Sequence, residues 1–167
     1  MPWTTPGTAV AGDVLTAAFW NSNVRDNSLE LAPFFSAWTS YTPTISQVGN
    51  VTKTTTYAKY LKIGRLAIVS FRLDVIAGTA GTAGTFITIS LPTAVVPTAT
   101  NVYGGLGLIY DASTGISYSG VWQPGGTTTT LQFAGDWSGG TYWGAQPSIG
   151  LLTNDQIHGL FICETTT

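Results

Sequence analysis

The chain has 167 residues, which suits one domain with a short appendage. Only 8% of the residues are charged, against an average near ~25%, and the net charge is −2 without a basic cluster, which excludes nucleic-acid binding. No apolar stretch approaches the roughly 20 residues of a membrane span, and we expect no signal peptide. The single cysteine, Cys163, excludes a disulfide framework and a multi-cysteine zinc site.

The composition favours β-structure with a neutral surface. The chain contains 28 Thr and 20 Gly, and 44% of its residues are hydrophobic. Thr is β-branched and suits strands, whereas Gly marks turns. Because low charge weakens the repulsion that keeps proteins apart, we expect identical subunits to cover much of the surface.

Residues 1–36 are predicted to form an extended arm followed by one short α-helix. Two prolines and Trp3 within the first seven residues favour the arm. Thr16 is a predicted N-cap, and the stretch from Ala17 to the residue before Pro33 contains neither Pro nor Gly.

One stripe of this helix has the spacing of a coiled-coil core. Trp20, Val24, Asn27 and Leu31 are spaced by 4, 3 and 4 residues, as at heptad core positions. A helix this short needs a partner surface, and Asn in such a seam sets register and oligomer state. Two alternatives stay open: a seam between identical copies, or a lone helix on its own β-domain.

Residues 37–167 are predicted to form an antiparallel β-sandwich of the jelly-roll type. Residues Ala67, Val69, Phe71, Leu73 and Val75 alternate along the clearest strand and share one face. The segment 62–65 predicts a tight hairpin, and 111–115 predicts a turn. The eight predicted strands are 38–45, 53–63, 65–75, 85–91, 102–110, 116–122, 128–134 and 156–164.

The titratable residues do not form a recognisable catalytic or metal-binding motif. His158 and Cys163 fall on opposite faces of the predicted last strand, so a Cys–His dyad is geometrically poor. We expect a structural His and a small buried thiol. Asp111 is better explained by an Asx-turn than by a calcium loop. We therefore predict neither enzymatic activity nor a cofactor or metal site.

Aromatic residues near a glycine-rich loop are the candidate binding site for a glycan. Rings on a loop are good platforms for the apolar faces of sugars, and this mode needs little charge. The favoured alternative is that these aromatics pack in the core or between subunits. The candidate glycan-binding residues are Trp122, Asp136, Trp137, Tyr142 and Trp143.

Short motifs throughout the chain resemble bacteriophage virion proteins, the tail-fibre or minor-tail-like proteins of actinobacterial phages. The N-terminal segment carries the most specific of these matches. The similar segments are 2–6 (PWTTP), 11–17 (AGDVLTA), 20–27 (WNSNVRDN), 38–43 (WTSYTP), 60–66 (YLKIGRL), 90–92 (SLP) and 154–164 (NDQIHGLFICE).

The resemblance implies a non-enzymatic virion component, usually trimeric, whose N-terminal segment docks on capsid or tail proteins. Trp3 and Trp20 are the candidate docking anchors, with Arg25 and Asp26 as a local or rim pair of small value. A capsid decoration or head-fibre protein is favoured slightly. The alternative is a tail fibre or receptor-binding tip that contacts glycans on the host surface.

Overall fold

The structure, a computed structural model, describes part of each of two compact units, Met1–Ala37 and Trp38–Thr167. The described residues are 14, 16–26, 28–29, 38–76, 80–98, 104–125, 129–137, 140–145 and 147–166. Of these, only the backbone is described at residues 22, 23, 50, 136, 137, 140 and 141.

The described part of the N-terminal unit contains one short helix. α1 spans Ala17–Trp20, and a π-helical turn follows at Asn21–Arg25. The Thr16 hydroxyl accepts a hydrogen bond of 3.1 Å from the Phe19 amide, which confirms the predicted N-cap. The wider π turn departs from the regular α-helix on which the 4–3–4 spacing of the predicted seam was based.

The second unit is built from antiparallel strands, and this confirms the mainly β, sandwich-like fold. The strands are β1 (Thr39–Ser40), β2 (Ile45–Ser46), β3 (Gly49–Asn50), β4 (Lys53–Ile63), β5 (Leu66–Val75), β6 (Ala80–Gly81), β7 (Thr88–Ser90), β8 (Gly105–Asp111), β9 (Ile116–Pro124), β10 (Thr130–Trp137), β11 (Gly140–Tyr142) and β12 (Gln156–Glu164).

A single curled sheet takes the place of two separate layers. Its order is β1-β4-β5-β12-β8-β9-β10-β7-β2, with β11 added on β10, while β3 and β6 pair separately. The two end strands, β1 and β2, are separated by only residues 41–44. The Tyr41 amide donates to the Ala58 carbonyl at 3.0 Å and the Ser90 amide to the Thr44 carbonyl at 2.9 Å, so one short segment joins both ends of the sheet.

The predicted first strand, 38–45, is therefore wrong as one continuous element. Its two halves pair with different strands, β4 and β7, because the segment turns across the gap between the ends of the sheet. The predicted hairpin at 62–65 is confirmed. Ile63 pairs with Leu66, and Gly64 takes a φ of +56°, a conformation that glycine adopts without strain.

The core lies on the concave face of the sheet and centres on Trp122. All five residues of the predicted β5 stripe, from Ala67 to Val75, are buried there. The Trp122 ring contacts the rings of Phe71 and Phe133, at centroid distances of 5.3 and 4.9 Å. A Cβ added at Gly159 would come within 2.7 Å of Trp122 Nε1, so this glycine makes room for the indole.

Candidate functional site

The N-terminal helix presents large apolar side chains. Trp20 is 54% exposed, and Val24, four residues further on, is exposed as well. Side chains at this spacing lie on one side of a helix, so the two form a small apolar surface. This arrangement suits contact with a partner.

The other predicted docking residues are described only in part. Arg25 and Asp26 form an ion pair with 2.8 Å between Nη2 and Oδ1, and the arginine side chain is largely exposed. An exposed pair of neighbouring residues contributes little to stability. Trp3, Asn27 and Leu31 lie outside the described residues.

Trp122 and Trp143 are fully buried, so the prediction that they contact a glycan is wrong. Trp122 Nε1 donates to the His158 carbonyl oxygen at 2.9 Å, which fixes the indole inside the sheet. Trp143 packs edge-on against Tyr118, with 5.8 Å between ring centroids. The alternative that these aromatics fill the core holds for both residues, because neither offers a ring face to a sugar.

The remaining part of the aromatic site is less buried. Tyr142 is half-buried, its hydroxyl accepts a hydrogen bond from Gln123 Nε2 at 3.0 Å, and its ring lies 6.4 Å from that of the exposed Phe86. The side chains of Asp136 and Trp137 lie outside the described residues. The described aromatic surface here thus reduces to Tyr142 and Phe86.

His158 and Cys163 occupy opposite faces of β12, as the alternation predicts. His158 lies on the outer face, where partial burial and then the charge of Arg72 lower its pKa, against an opposing effect of Asp74. Cys163 is buried in the core, and this burial raises the pKa of its thiol to about 11. The thiol therefore stays protonated at neutral pH, as a packed structural cysteine does.

Two buried aspartates organise a pair of turns. Asp111 Oδ1 accepts hydrogen bonds from the Ser113 amide at 2.9 Å and the Thr114 amide at 3.2 Å, which confirms the Asx-turn. Asp155 joins this turn to the next one, since its carboxylate accepts from the amides of Ala112 and Leu152. Both carboxylates thus stabilise turns by accepting hydrogen bonds from backbone amides.

These aspartates have opposite pKa shifts. Burial acts to raise the pKa of Asp111, but the hydrogen bonds from Ser113 and Thr114 outweigh it and hold the pKa below its ordinary value. Burial dominates at Asp155 and raises its pKa, although its two backbone hydrogen bonds oppose the shift.

Gln47 is a buried residue that sequence reasoning missed. Its Nε2 donates to the carbonyl oxygens of Thr85 and Ile149, each at 2.9 Å, and its Oε1 accepts from the Leu151 amide at 2.8 Å. One side chain thereby holds together three segments of the chain, of which the last lies about a hundred residues beyond Gln47. A lone Gln beside a two-residue strand carries no periodic signal that could have revealed this role.

A neutral groove of about 570 Å³ lies where the ends of the sheet meet. The hydroxyl of Tyr41 is buried and has no hydrogen-bond partner in the described part of the chain. Its ring packs edge-on against Tyr60, with 6.2 Å between centroids. Hydroxyl-bearing residues line much of the groove, among them Thr42, Thr44, Ser90 and Thr93.

No group of three or more His, Cys, Asp or Glu that could hold a metal ion occurs among the described residues. In the same residues, no helix is long and apolar enough to cross a membrane. The chain matches no protein-family model, no curated protein and no solved structure.

Proposed function

We propose that this protein is a non-enzymatic structural component of a bacteriophage virion, displayed on the particle surface and attached through its N-terminal unit. The observation that carries the proposal is the exposed apolar surface of Trp20 and Val24 on the short helix. Apolar side chains of this size favour burial, and burying an exposed Trp against a partner contributes on the order of 2–3 kcal/mol. The N-terminal segment also carries the most specific resemblance to phage virion proteins.

The β-domain supplies the displayed part of this protein. Its strands form one closed, densely packed core with few charges, and its polar surface is rich in threonine. Its two buried aspartates, Asp111 and Asp155, accept hydrogen bonds from backbone amides and stabilise turns. A docking segment joined to such a domain favours a capsid decoration or head-fibre protein.

The test is to follow the protein on purified particles of the phage that encodes it. Mass spectrometry should find it in the particle fraction of a density gradient, and gold-labelled antibodies should decorate the heads of intact particles. An unrelated soluble protein added to the lysate serves as the control for trapped material. Finding the protein only among the soluble proteins would contradict the proposal. Gold labelling confined to tails would instead show that the protein belongs to the tail.

Binding of a host glycan, as by a receptor-binding tip, is the second candidate function. The groove at Tyr41 favours it, because the hydroxyl groups that line much of this groove can exchange hydrogen bonds with the hydroxyls of a neutral sugar. Calorimetry with neutral mono- and disaccharides tests this function. Thr93→Trp, which fills the groove at an exposed position of its lining, should abolish binding. Thr54→Trp, at an exposed position outside the groove, should retain it. No binding by the wild-type protein would exclude these sugars as ligands.

A further inference from the structure

The segment that joins the two ends of the sheet is lightly attached to the rest of the β-domain. We call residues 38–46 the strap; they include β1, β2 and the turn between them. Six of these nine residues are exposed and only Pro43 is buried, while Tyr41 and Ile45 are half-buried against the core. By contrast, every second residue of β5 is buried. Few apolar contacts therefore hold the strap in place.

The backbone pairing of the strap is equally limited at both ends of the sheet. β1 pairs with β4 over two residues and β2 with β7 over two residues, shorter than the usual strand of about 3–10 residues. Next to β1, the Tyr41 amide donates to the Ala58 carbonyl at 3.0 Å. Next to β2, the Ser90 amide donates to the Thr44 carbonyl at 2.9 Å. Breaking a small number of hydrogen bonds thus frees the strap.

The neutral groove of about 570 Å³ lies between the strap and the sheet. Tyr41 and Thr44 of the strap line one part of it, and Leu91 and Val95 line another. Where the groove separates them, side chains of the strap and the sheet lack the close contacts that stabilise a packed strand. The groove therefore weakens the attachment of the strap further.

The strap ends at a firmly fixed residue. Gln47, which follows it directly, is buried and makes three hydrogen bonds to backbone groups of distant segments, at 2.8–2.9 Å. At its other end, the strap begins at Trp38, where the β-domain follows the N-terminal unit in the chain. Opening of the strap should therefore stop at Gln47 and leave the core strands in place.

We propose that the strap opens as one unit while the rest of the β-domain stays folded, and that it yields first when the attached protein is pulled by its N-terminal unit. Such a pull reaches the strap before any other part of the β-domain, because the strap comes first in the chain. Opening frees one edge of β4 and one edge of β7. The mechanical part rests on the proposed function, which assigns attachment to the N-terminal unit.

Hydrogen exchange at single amides of the full chain tests the opening. The Ser90 amide donates to the strap, whereas the Leu91 amide beside it donates to the Thr129 carbonyl at 2.8 Å. Strap opening breaks only the first of these bonds, so the protection factor at Ser90 should be at least about tenfold lower than at Leu91. Tyr41, at the other end of the sheet, should have the same protection factor as Ser90. Equal protection at Ser90 and Leu91, or different protection at Tyr41 and Ser90, would overturn the proposal.

The pairing of β1 with β4 offers a position for a disulfide that locks the strap. Ser40 pairs with Lys59, and both are exposed. Because the neighbouring residues Tyr41 and Ala58 form a hydrogen-bonded pair, Ser40 and Lys59 form a non-hydrogen-bonded pair. The Cα atoms of such a pair lie about 4.5 Å apart, which a disulfide can span. The native Cys163 is buried and does not compete.

The oxidised double variant Ser40→Cys/Lys59→Cys should close the difference between the two neighbouring amides. Its protection factor at Ser90 should rise to that at Leu91, because a locked strap no longer opens as a unit. The same variant after reduction is the matched control and should regain the wild-type difference. Fast exchange at Ser90 that persists in the oxidised variant would show that Ser90 opens without the strap and would overturn the proposal.

Pulling the full chain by its two termini in optical tweezers tests the mechanical part. Release of the nine strap residues should lengthen the chain by about 30 Å before the β-domain unfolds. This step should be present in the reduced double variant and absent from the oxidised one. Identical traces for the two forms up to unfolding of the β-domain would contradict early yielding of the strap.

The strap and the proposed function can fail separately, because exchange and pulling use purified protein without particles. If the strap opens but particles lack the protein, the strap stands and the virion assignment fails. If particles contain the protein but Ser90 and Leu91 exchange alike, the proposed function stands and the strap does not open by itself.

Discussion

Single polar residues hold the loops of this β-domain together, and Gln47 is the foremost example. Its amide donates two hydrogen bonds to carbonyl oxygens and accepts one from an amide, all at 2.8–2.9 Å. The orientation of the amide is fixed by these partners, because exchanging its oxygen and nitrogen would oppose like groups. The loops containing Thr85, Ile149 and Leu151 thus depend on one side chain.

We predict that Gln47→Glu lowers the free energy of unfolding by on the order of 3–5 kcal/mol. The new carboxylate would face the carbonyl oxygens of Thr85 and Ile149 without a proton to donate. Urea denaturation measures the loss. Gln123→Glu adds the same charge but should cost far less, because the Tyr142 hydroxyl can reverse and donate to it. Equal losses in the two variants would contradict the role of Gln47.

Asp111 makes stability depend on pH in the acid range. Because its pKa is lower in the folded chain than in the unfolded one, the ionised group stabilises the fold above its ordinary pKa, and this contribution is lost as the pH falls. The melting temperature of the wild-type protein should therefore fall more steeply between about pH 5 and about pH 3 than that of Asp111→Asn, whose amide oxygen can still accept hydrogen bonds.

Asp155 has a pH effect of the opposite sign. Its raised pKa means that its charge destabilises the fold as the pH rises above the ordinary value for an aspartate. Since the wild-type protein and Asp111→Asn both contain Asp155, the difference between their melting curves reports chiefly on Asp111. Parallel pH profiles would show that the Asx-turn does not depend on the charge.

At the scale of elements, β8 and β12 are shaped to receive the ring of Trp122. The indole crosses over both strands, where Gly107 and Gly159 leave the space that side chains would fill. Its Nε1 donates to the backbone of β12 at His158. The packing of β9 on these strands thus depends on two missing Cβ atoms.

Gly159→Ala should destabilise the protein by about 1–3 kcal/mol, because the new methyl group overlaps the rings of Trp122 and Phe71. Thermal unfolding followed by tryptophan fluorescence measures the change. Gly104→Ala is the matched control. A Cβ at position 104 would lie 3.9 Å from Val121 Cβ, which is an ordinary contact, so the Gly104→Ala protein should be as stable as the wild-type protein. If Gly159→Ala unfolds at the same temperature as the wild-type protein, the rings of Trp122 and Phe71 can shift without a loss of stability.

Local patterns in the sequence predict the long strands well but not their arrangement. The bounds of β4 and β12 agree with the prediction to the residue. Strict alternation marks β12, whereas β4 contains a bulge between Thr55 and Tyr57 that interrupts its alternation. Alternation identifies the buried face of a strand but not its neighbour. The position of β12 between β5 and β8, and the closure by the two-residue strands β1 and β2, depend on contacts between distant segments.

The candidate site was predictable only in part for the same reason. Trp143 follows Tyr142 in a glycine-rich segment. The local sequence does not distinguish a Trp exposed on a loop from one buried in the core. Its burial depends on packing against Tyr118 from another strand. The exposed apolar pair Leu106 and Leu160 was equally hidden, since the two residues are neighbours only through the pairing of β8 with β12.

For the whole molecule, we propose that attachment and display belong to different units: the N-terminal unit docks on the particle, and the β-domain folds without it. The most direct test is co-sedimentation with particles that lack the native protein. The full chain should sediment with them, whereas a fragment of residues 38–167 should keep the β-type circular dichroism spectrum and stay in the supernatant. Sedimentation of this fragment to the same extent as the full chain would place docking on the β-domain and contradict the account.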